Sequence, residues 1–121
     1  MDILIVEDNA DARDSLMALL ELSGHRVTSA DSGVAALSSI RRSLPRLALV
    51  DIGLPDMDGL ALARAIRDMP GGDTIRLIAL TGYGGLEDQE RTAESGFDAH
   101  LIKPLDFDVL EKLLQTMEGS T

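Results

Sequence analysis

Five short runs of mainly apolar residues alternate along the chain with longer stretches in which apolar positions recur every three to four residues. The short runs predict strands near Asp2–Val6, Arg26–Ala30, Leu47–Val50, Arg76–Leu80 and Ala99–Ile102. A run such as Ile3-Leu4-Ile5-Val6 has no polar alternation, which suits a strand covered by helices on both faces. Strand and helix in strict alternation predict βαβ units and a doubly wound parallel sheet. The first of five helices begins near Asn9 or Ala10, turns Ala12, Leu16, Leu19 and Leu20 inward, and ends before Gly24, a residue suited to a left-handed cap. The second starts about Ser32 with Asp31 or Ser32 as its cap, carries Val34, Leu37 and Ile40, and breaks at Pro45. The third spans Gly59–Met69 behind Asp58, with Ala63 and Ile66 inward, and stops at Pro70-Gly71-Gly72. The fourth, about Leu86 to Ser95, is the weakest: Gly82, Gly84 and Gly85 crowd its start, its apolar face is thin, and we expect it to be the most mobile. Asp106 caps the fifth, where Leu110, Leu113, Leu114 and Met117 follow the i, i+3, i+4, i+7 template before a short polar tail, Glu118–Thr121.

Composition narrows the possibilities. A length of 121 residues predicts a single domain, 1–121, with room for a real core. With one Tyr, two Phe and no Trp, that core must come from Leu, Ile, Val and Ala. The absence of Cys excludes disulfides and thiolate metal sites, and two His give little support to zinc. No apolar stretch approaches the roughly 20 residues that span a bilayer, and no basic segment with an apolar signal region follows Met1, so we expect no membrane insertion and a cytoplasmic setting. A formal net charge of -10 repels nucleic-acid phosphates and argues against direct DNA binding.

The candidate chemistry falls where the apolar runs end. Glu7 and Asp8 follow the first, Asp51 ends the third, Thr81 follows the fourth and Lys103 the fifth. In a parallel sheet these ends share one edge, so the five residues converge on one crevice. Three carboxylates against one ammonium leave a formal excess of two negative charges, which a divalent cation would balance. Hard oxygen donors suit Mg²⁺. The plain alternatives are that Glu7 and Asp8 cap the first helix and that Asp51 shapes a turn. Asp56 and Asp58 can serve that turn and the next helix instead, leaving Asp51 free to attack a phosphoryl group and form an acyl phosphate. Thr81 offers a hydroxyl to phosphoryl oxygens, although a strand-end Thr is also a common strand former. Pro104 restricts Lys103 and so helps to aim its ammonium. The glycines from Gly82 to Gly85 match no complete dinucleotide fingerprint and do not follow the first strand.

Over nearly its whole length the chain resembles the receiver domain of two-component response regulators. The resemblance is carried by Glu7-Asp8, by Leu49-Val50-Asp51-Ile52-Gly53-Leu54-Pro55 with Asp58-Gly59 beyond it, by Thr81-Gly82 and by Lys103-Pro104. It implies a flavodoxin-like α/β fold with strand order 2-1-3-4-5 and five helices. It also implies that Asp51 is the phosphoacceptor, that Glu7, Asp8, Asp51 and the carbonyl of Gly53 hold Mg²⁺ with Mn²⁺ as a substitute, and that Thr81 and Lys103 bind the phosphoryl group. A cis Lys103–Pro104 bond is implied as well. The donor would be phosphohistidine on a sensor histidine kinase or histidine phosphotransfer protein, and the output face would be the fourth helix, fifth strand and fifth helix. Such a protein catalyses its own phosphorylation and slow dephosphorylation without being a turnover enzyme.

His100 stands where many receivers carry a Tyr or Phe switch partner for the Thr. It is read either as a smaller, titratable switch residue or as a half-exposed strand residue. Gly53 and Tyr83 occupy positions that influence phosphate lifetime in this family. The segment Thr81 to Pro104 is similar to receivers attached to hybrid sensor kinases. The alternatives are a degenerate receiver acting as a protein-binding module and a Mg-dependent phosphohydrolase; the latter would require a second acid where Gly53 stands. A flavin or nucleotide module would cradle phosphate after the first strand, where Glu7 and Asp8 repel it.

Overall fold

The computed structural model describes residues 1–82 and 91–119. Five parallel strands form one sheet: β1 (Asp2–Val6), β2 (Arg26–Ala30), β3 (Leu47–Asp51), β4 (Arg76–Thr81) and β5 (Ala99–Ile102), in the order β2-β1-β3-β4-β5. The helices are α1 (Ala10–Leu22), α2 (Gly33–Arg42), α3 (Gly59–Asp68), α4, of which residues 91–94 are described, and α5 (Phe107–Gly119). This is the expected flavodoxin-like, doubly wound arrangement. Tyr83 and most of the expected fourth helix lie outside the described residues.

Successive side chains of a strand point to opposite faces, and here both faces are buried. Ile3 and Ile5 of β1, with Leu47 and Leu49 of β3, pack beneath Leu16 and Leu20 of α1 and Leu110 and Leu114 of α5. The intervening Leu4, Val6, Ala48 and Val50 pack with Ile40 of α2 and Leu62, Ala63 and Ile66 of α3. Uninterrupted apolar runs are therefore required in the central strands. β2 differs: it pairs only with β1, and Arg26, Thr28 and Ser29 are exposed, as an edge strand permits.

Two ladders run one residue further than the apolar runs. Asp51 registers with Leu80 and Thr81 with Ile102, so both polar residues belong to their strands. Ser32, not Asp31, caps α2 by accepting from the Ala35 N–H. Among the inward residues expected on α1, Leu16 and Leu20 are buried, whereas Ala12 and Leu19 are exposed and border an open apolar groove with Leu105 and Phe107. The helix packs on the sheet through Leu16 and Leu20 with Met17 beside them, which leaves Ala12 and Leu19 on an uncovered flank. Val34 of α2 is exposed as well. After α3 a short 3₁₀ turn, Gly72–Thr74, intervenes before β4. No helix among the described residues is long and apolar enough to cross a membrane.

Candidate metal and phosphoryl site

The carboxyl ends of β1, β3, β4 and β5 deliver Glu7, Asp51, Thr81 and Lys103 to one edge. Asn9, rather than either acid before it, caps α1: its side chain accepts from the Ala12 N–H. Glu7 and Asp8 are thereby released from that task. Carboxylate oxygens of Glu7, Asp8 and Asp51 lie within 4.8 Å of one another, with Glu7 and Asp51 buried and Asp8 exposed. The Glu7 carbonyl is further held by the Arg13 guanidinium at 2.9 Å, one turn into α1.

Asp51 is fixed from two sides. The Gly53 N–H donates to its Oδ1 at 2.9 Å, and the Lys103 ammonium donates to its Oδ2 at 3.0 Å. The same ammonium reaches Glu7 Oε2 at 3.2 Å, so one cation spans two carboxylates. The backbone that carries Lys103 is itself held, since its N–H donates to the Thr81 carbonyl at 2.8 Å. The Lys103–Pro104 bond is cis. The chain turns away after Asp51 through a loop closed at its base by the Gly59 N–H donating to the Ile52 carbonyl at 3.0 Å. Only glycine fits there, because a Cβ at position 59 would lie 2.6 Å from the Ile52 Cα.

Burial raises the Glu7 pKa, and its side-chain hydrogen bond with Asp51 reinforces the rise, against the lowering effect of Lys103. Burial also pushes the Asp51 carboxyl upward, but the Gly53 N–H, Lys103 and the hydrogen bond with Glu7 together outweigh it and hold the group below its ordinary value. Burial opposes the charge on Lys103, while Asp51 and Glu7 override it and raise its pKa. The site therefore holds an ionised Asp51 beside a fixed ammonium. It carries more negative charge than that ammonium neutralises, and its cluster of hard oxygen donors suits a divalent cation such as Mg²⁺.

Thr81 is buried at the end of β4, next in sequence to Leu80, which pairs with Asp51. His100 is half-buried in β5, in register with Ala79. Gly53 is exposed, and a Cβ there would meet only Asp51 Oδ1, at 3.7 Å. Sequence reading missed three supports: the capping by Asn9, the Arg13 contact, and the reach of Asp56 to α2. Asp56 bonds locally to the backbone of its own turn and also reaches a distant helix. Its Oδ1 and Oδ2 accept from the Gly33 and Val34 N–H groups at 2.9 and 3.0 Å.

The family model of the response regulator receiver domain matches residues 3–115. An uncharacterized 14.6 kDa protein of Leptolyngbya boryana is 44% identical over 115 residues, covering 95% of this chain and 88% of that protein. The virulence transcriptional regulatory protein PhoP of Salmonella typhimurium is 35% identical over 117 residues; the match covers 97% of this chain but 51% of PhoP, so this chain spans about half that regulator. Among solved structures, the receiver domain of sensor histidine kinase PA1611 from Pseudomonas aeruginosa PAO1 superposes with a TM-score of 0.89 at 34% identity, covering 98% of this chain and 97% of that one, and it was solved with a magnesium ion coordinated in its active site cleft. Fold, strand-edge cluster and matched family agree: the chain belongs to the response regulator receiver domains of two-component systems.

Proposed function

We propose that Asp51 is the phosphoacceptor of this receiver, residues 1–121, and that the donor is phosphohistidine on a sensor histidine kinase or histidine phosphotransfer protein. In the transfer an Asp51 carboxylate oxygen forms a bond to phosphorus while the phosphorus–nitrogen bond to imidazole breaks, and the imidazole leaves with the bonding pair. Hydrolysis of the acyl phosphate returns the carboxylate and inorganic phosphate. Glu7, Asp8, Asp51 and the carbonyl of Gly53 would hold Mg²⁺, or Mn²⁺ in its place, which supplies charge neutralisation for the transferring oxygens. The observation that carries this reading is the convergence of three carboxylates with the Lys103 ammonium 3.0 Å from Asp51 Oδ2.

Phosphorylation replaces the single charge of the Asp51 carboxylate with about 1.5 to 2 negative charges on the phosphoryl group. Lys103 exchanges a carboxylate for a phosphoryl oxygen, and Thr81 contributes its hydroxyl. Their motion carries the signal to α4, β5 and α5, with His100 as the partner of Thr81. β5 and α5 carry the exposed Ile102 and Val109, which fits an output face there. The proposed setting is the cytoplasm, where kinase domains and ATP-derived phosphoryl groups are found.

The test is incubation with acetyl phosphate, with and without Mg²⁺, followed by intact-mass measurement. A phosphate adduct is expected on the wild type with Mg²⁺ and none on Asp51→Asn. Equal adducts on both proteins would overturn the assignment.

A further inference from the structure

We propose that Asp56 is a positioning residue for the cation site: by tying the loop after Asp51 to the start of α2, it holds the Gly53 carbonyl where the cation needs it. The inference rests on the reading of the Asp51 crevice as a Mg²⁺ site. Besides the Gly53 N–H on Asp51 Oδ1 at 2.9 Å and the packing of Met57 on the core, the short loop from Gly53 to Asp58 has further anchors. Its base is closed by the Gly59 N–H on the Ile52 carbonyl, and its Leu54 side chain enters the core. Its crown is held by the Asp56 carboxylate, which accepts from the first two N–H groups of α2 at 2.9 and 3.0 Å.

Capping of α2 alone does not account for this contact. The helix already has its own cap, because Ser32 Oγ accepts from the Ala35 N–H at 3.1 Å. Asp56 satisfies two further N–H groups from 22 and 23 residues away and adds negative charge at the positive end of the helix dipole. Such a non-local contact constrains two segments at once. One of them contains Gly53, the single backbone ligand in the proposed set and the one with no side chain to steer it. Groups that orient metal ligands without touching the metal typically alter affinity 10- to 100-fold.

The experiment is calorimetric Mg²⁺ titration of wild type, Asp56→Ala, Asp56→Asn and Ser32→Ala, well below the melting temperature of each. In parallel, amide exchange at Gly53 and Leu54 is followed in the metal-free proteins. Asp56→Ala is expected to raise the Mg²⁺ dissociation constant about tenfold and to speed exchange at both amides. Asp56→Asn, which keeps the shape and one good acceptor, should fall between, and it carries the test if the alanine variant does not fold. Ser32→Ala removes the helix's own cap yet should leave affinity and exchange at wild-type values while lowering the melting temperature. Equal Mg²⁺ affinity in wild type and Asp56→Ala would overturn the inference, as would a loss in Ser32→Ala matching that in Asp56→Ala. A wild type that binds no Mg²⁺ would instead fell the reading of the site itself, and this inference with it.

Discussion

The two ends of the sheet each hold a cation between elements, and only one of those cations has its surroundings balanced. At the amino edge, Arg67 near the end of α3 donates to the carbonyls of Gly72, Ile75 and Gly96 and to Asp98 Oδ2, with Nε and both terminal nitrogens engaged. Five contacts match the five N–H donors of a guanidinium. Asp98 Oδ2 is in turn shared with the Leu77 N–H at 2.8 Å. At the carboxyl edge one ammonium serves Glu7 and Asp51, with Asp8 beside them, and negative charge is left over. A closed network holds elements together, whereas an open one waits for a cation and a phosphoryl group.

The largest effect should come from breaking the closed end. Arg67→Ala strands three carbonyls and a carboxylate in a partly buried place and should lower stability by about 3 kcal/mol, read by urea unfolding. Mg²⁺ affinity of the surviving folded protein should be unchanged, and a change there would mean that the two ends are coupled. Lys103→Ala should behave in the opposite manner. Its side chain is 38% exposed, so the stability loss without metal should be only about 1 kcal/mol. Mg²⁺ should raise the melting temperature more in this variant than in the wild type, since the ion supplies the missing positive charge. The conformational response to phosphorylation, followed by amide exchange in α5, should vanish; an intact response would remove Lys103 from the mechanism.

A smaller effect distinguishes the ends by pH. The Gly33 and Val34 N–H groups hold the Asp56 carboxyl below its ordinary 3.8. Its folded pKa being the lower one, its stabilisation is complete above about pH 4 and is lost as pH falls through the folded value. The difference in melting temperature between wild type and Asp56→Asn should therefore be full at neutrality and close below that point. Most of the deficit of Arg67→Ala should persist through the same range, because the guanidinium stays charged and the carbonyls of Gly72, Ile75 and Gly96, which take four of its five hydrogen bonds, do not titrate.

What could be read in advance followed from local or edge-wide rules. Uninterrupted apolar runs located β1, β3 and β4 because both sheet faces are covered, and strand-end placement gathered Glu7, Asp8, Asp51, Thr81 and Lys103 without any coordinates. Contacts between segments distant in sequence were not legible. Arg67 looks like a solvated residue on the outer face of an amphipathic helix, and its acceptors at Gly96 and Asp98 lie 29 and 31 residues away. Asp56 looks like a turn former, and only the packing of α2 beside the loop reveals its partners. Ala12 and Leu19 match the helical period but miss the contact, since periodicity reports a face and not the width of the seam beneath it.

The smallest effect is expected at Gly53, and it sharpens the contrast between the ends through a single kind of substitution. Gly53 is not among the glycines with left-handed φ, and a Cβ there meets only Asp51 Oδ1, at the ordinary distance of 3.7 Å. Gly53→Ala should therefore stabilise the fold by about 0.5 kcal/mol, by restricting the unfolded chain. Gly96 has φ +106, and its Cβ would come within 2.9 Å of Arg67 Cγ, so the same change there should destabilise. At Gly53 the added methyl also narrows the approach to Asp51, so the phosphorylated form should persist longer, measured as the decay of the phosphate adduct by intact mass. Mg²⁺ affinity should not move, because the proposed ligand is the backbone carbonyl and not a side chain. A longer lifetime with unchanged affinity would show that the open end controls water and the cation by separate means; a lifetime equal to wild type would mean that water reaches Asp51 by a route that position 53 does not guard.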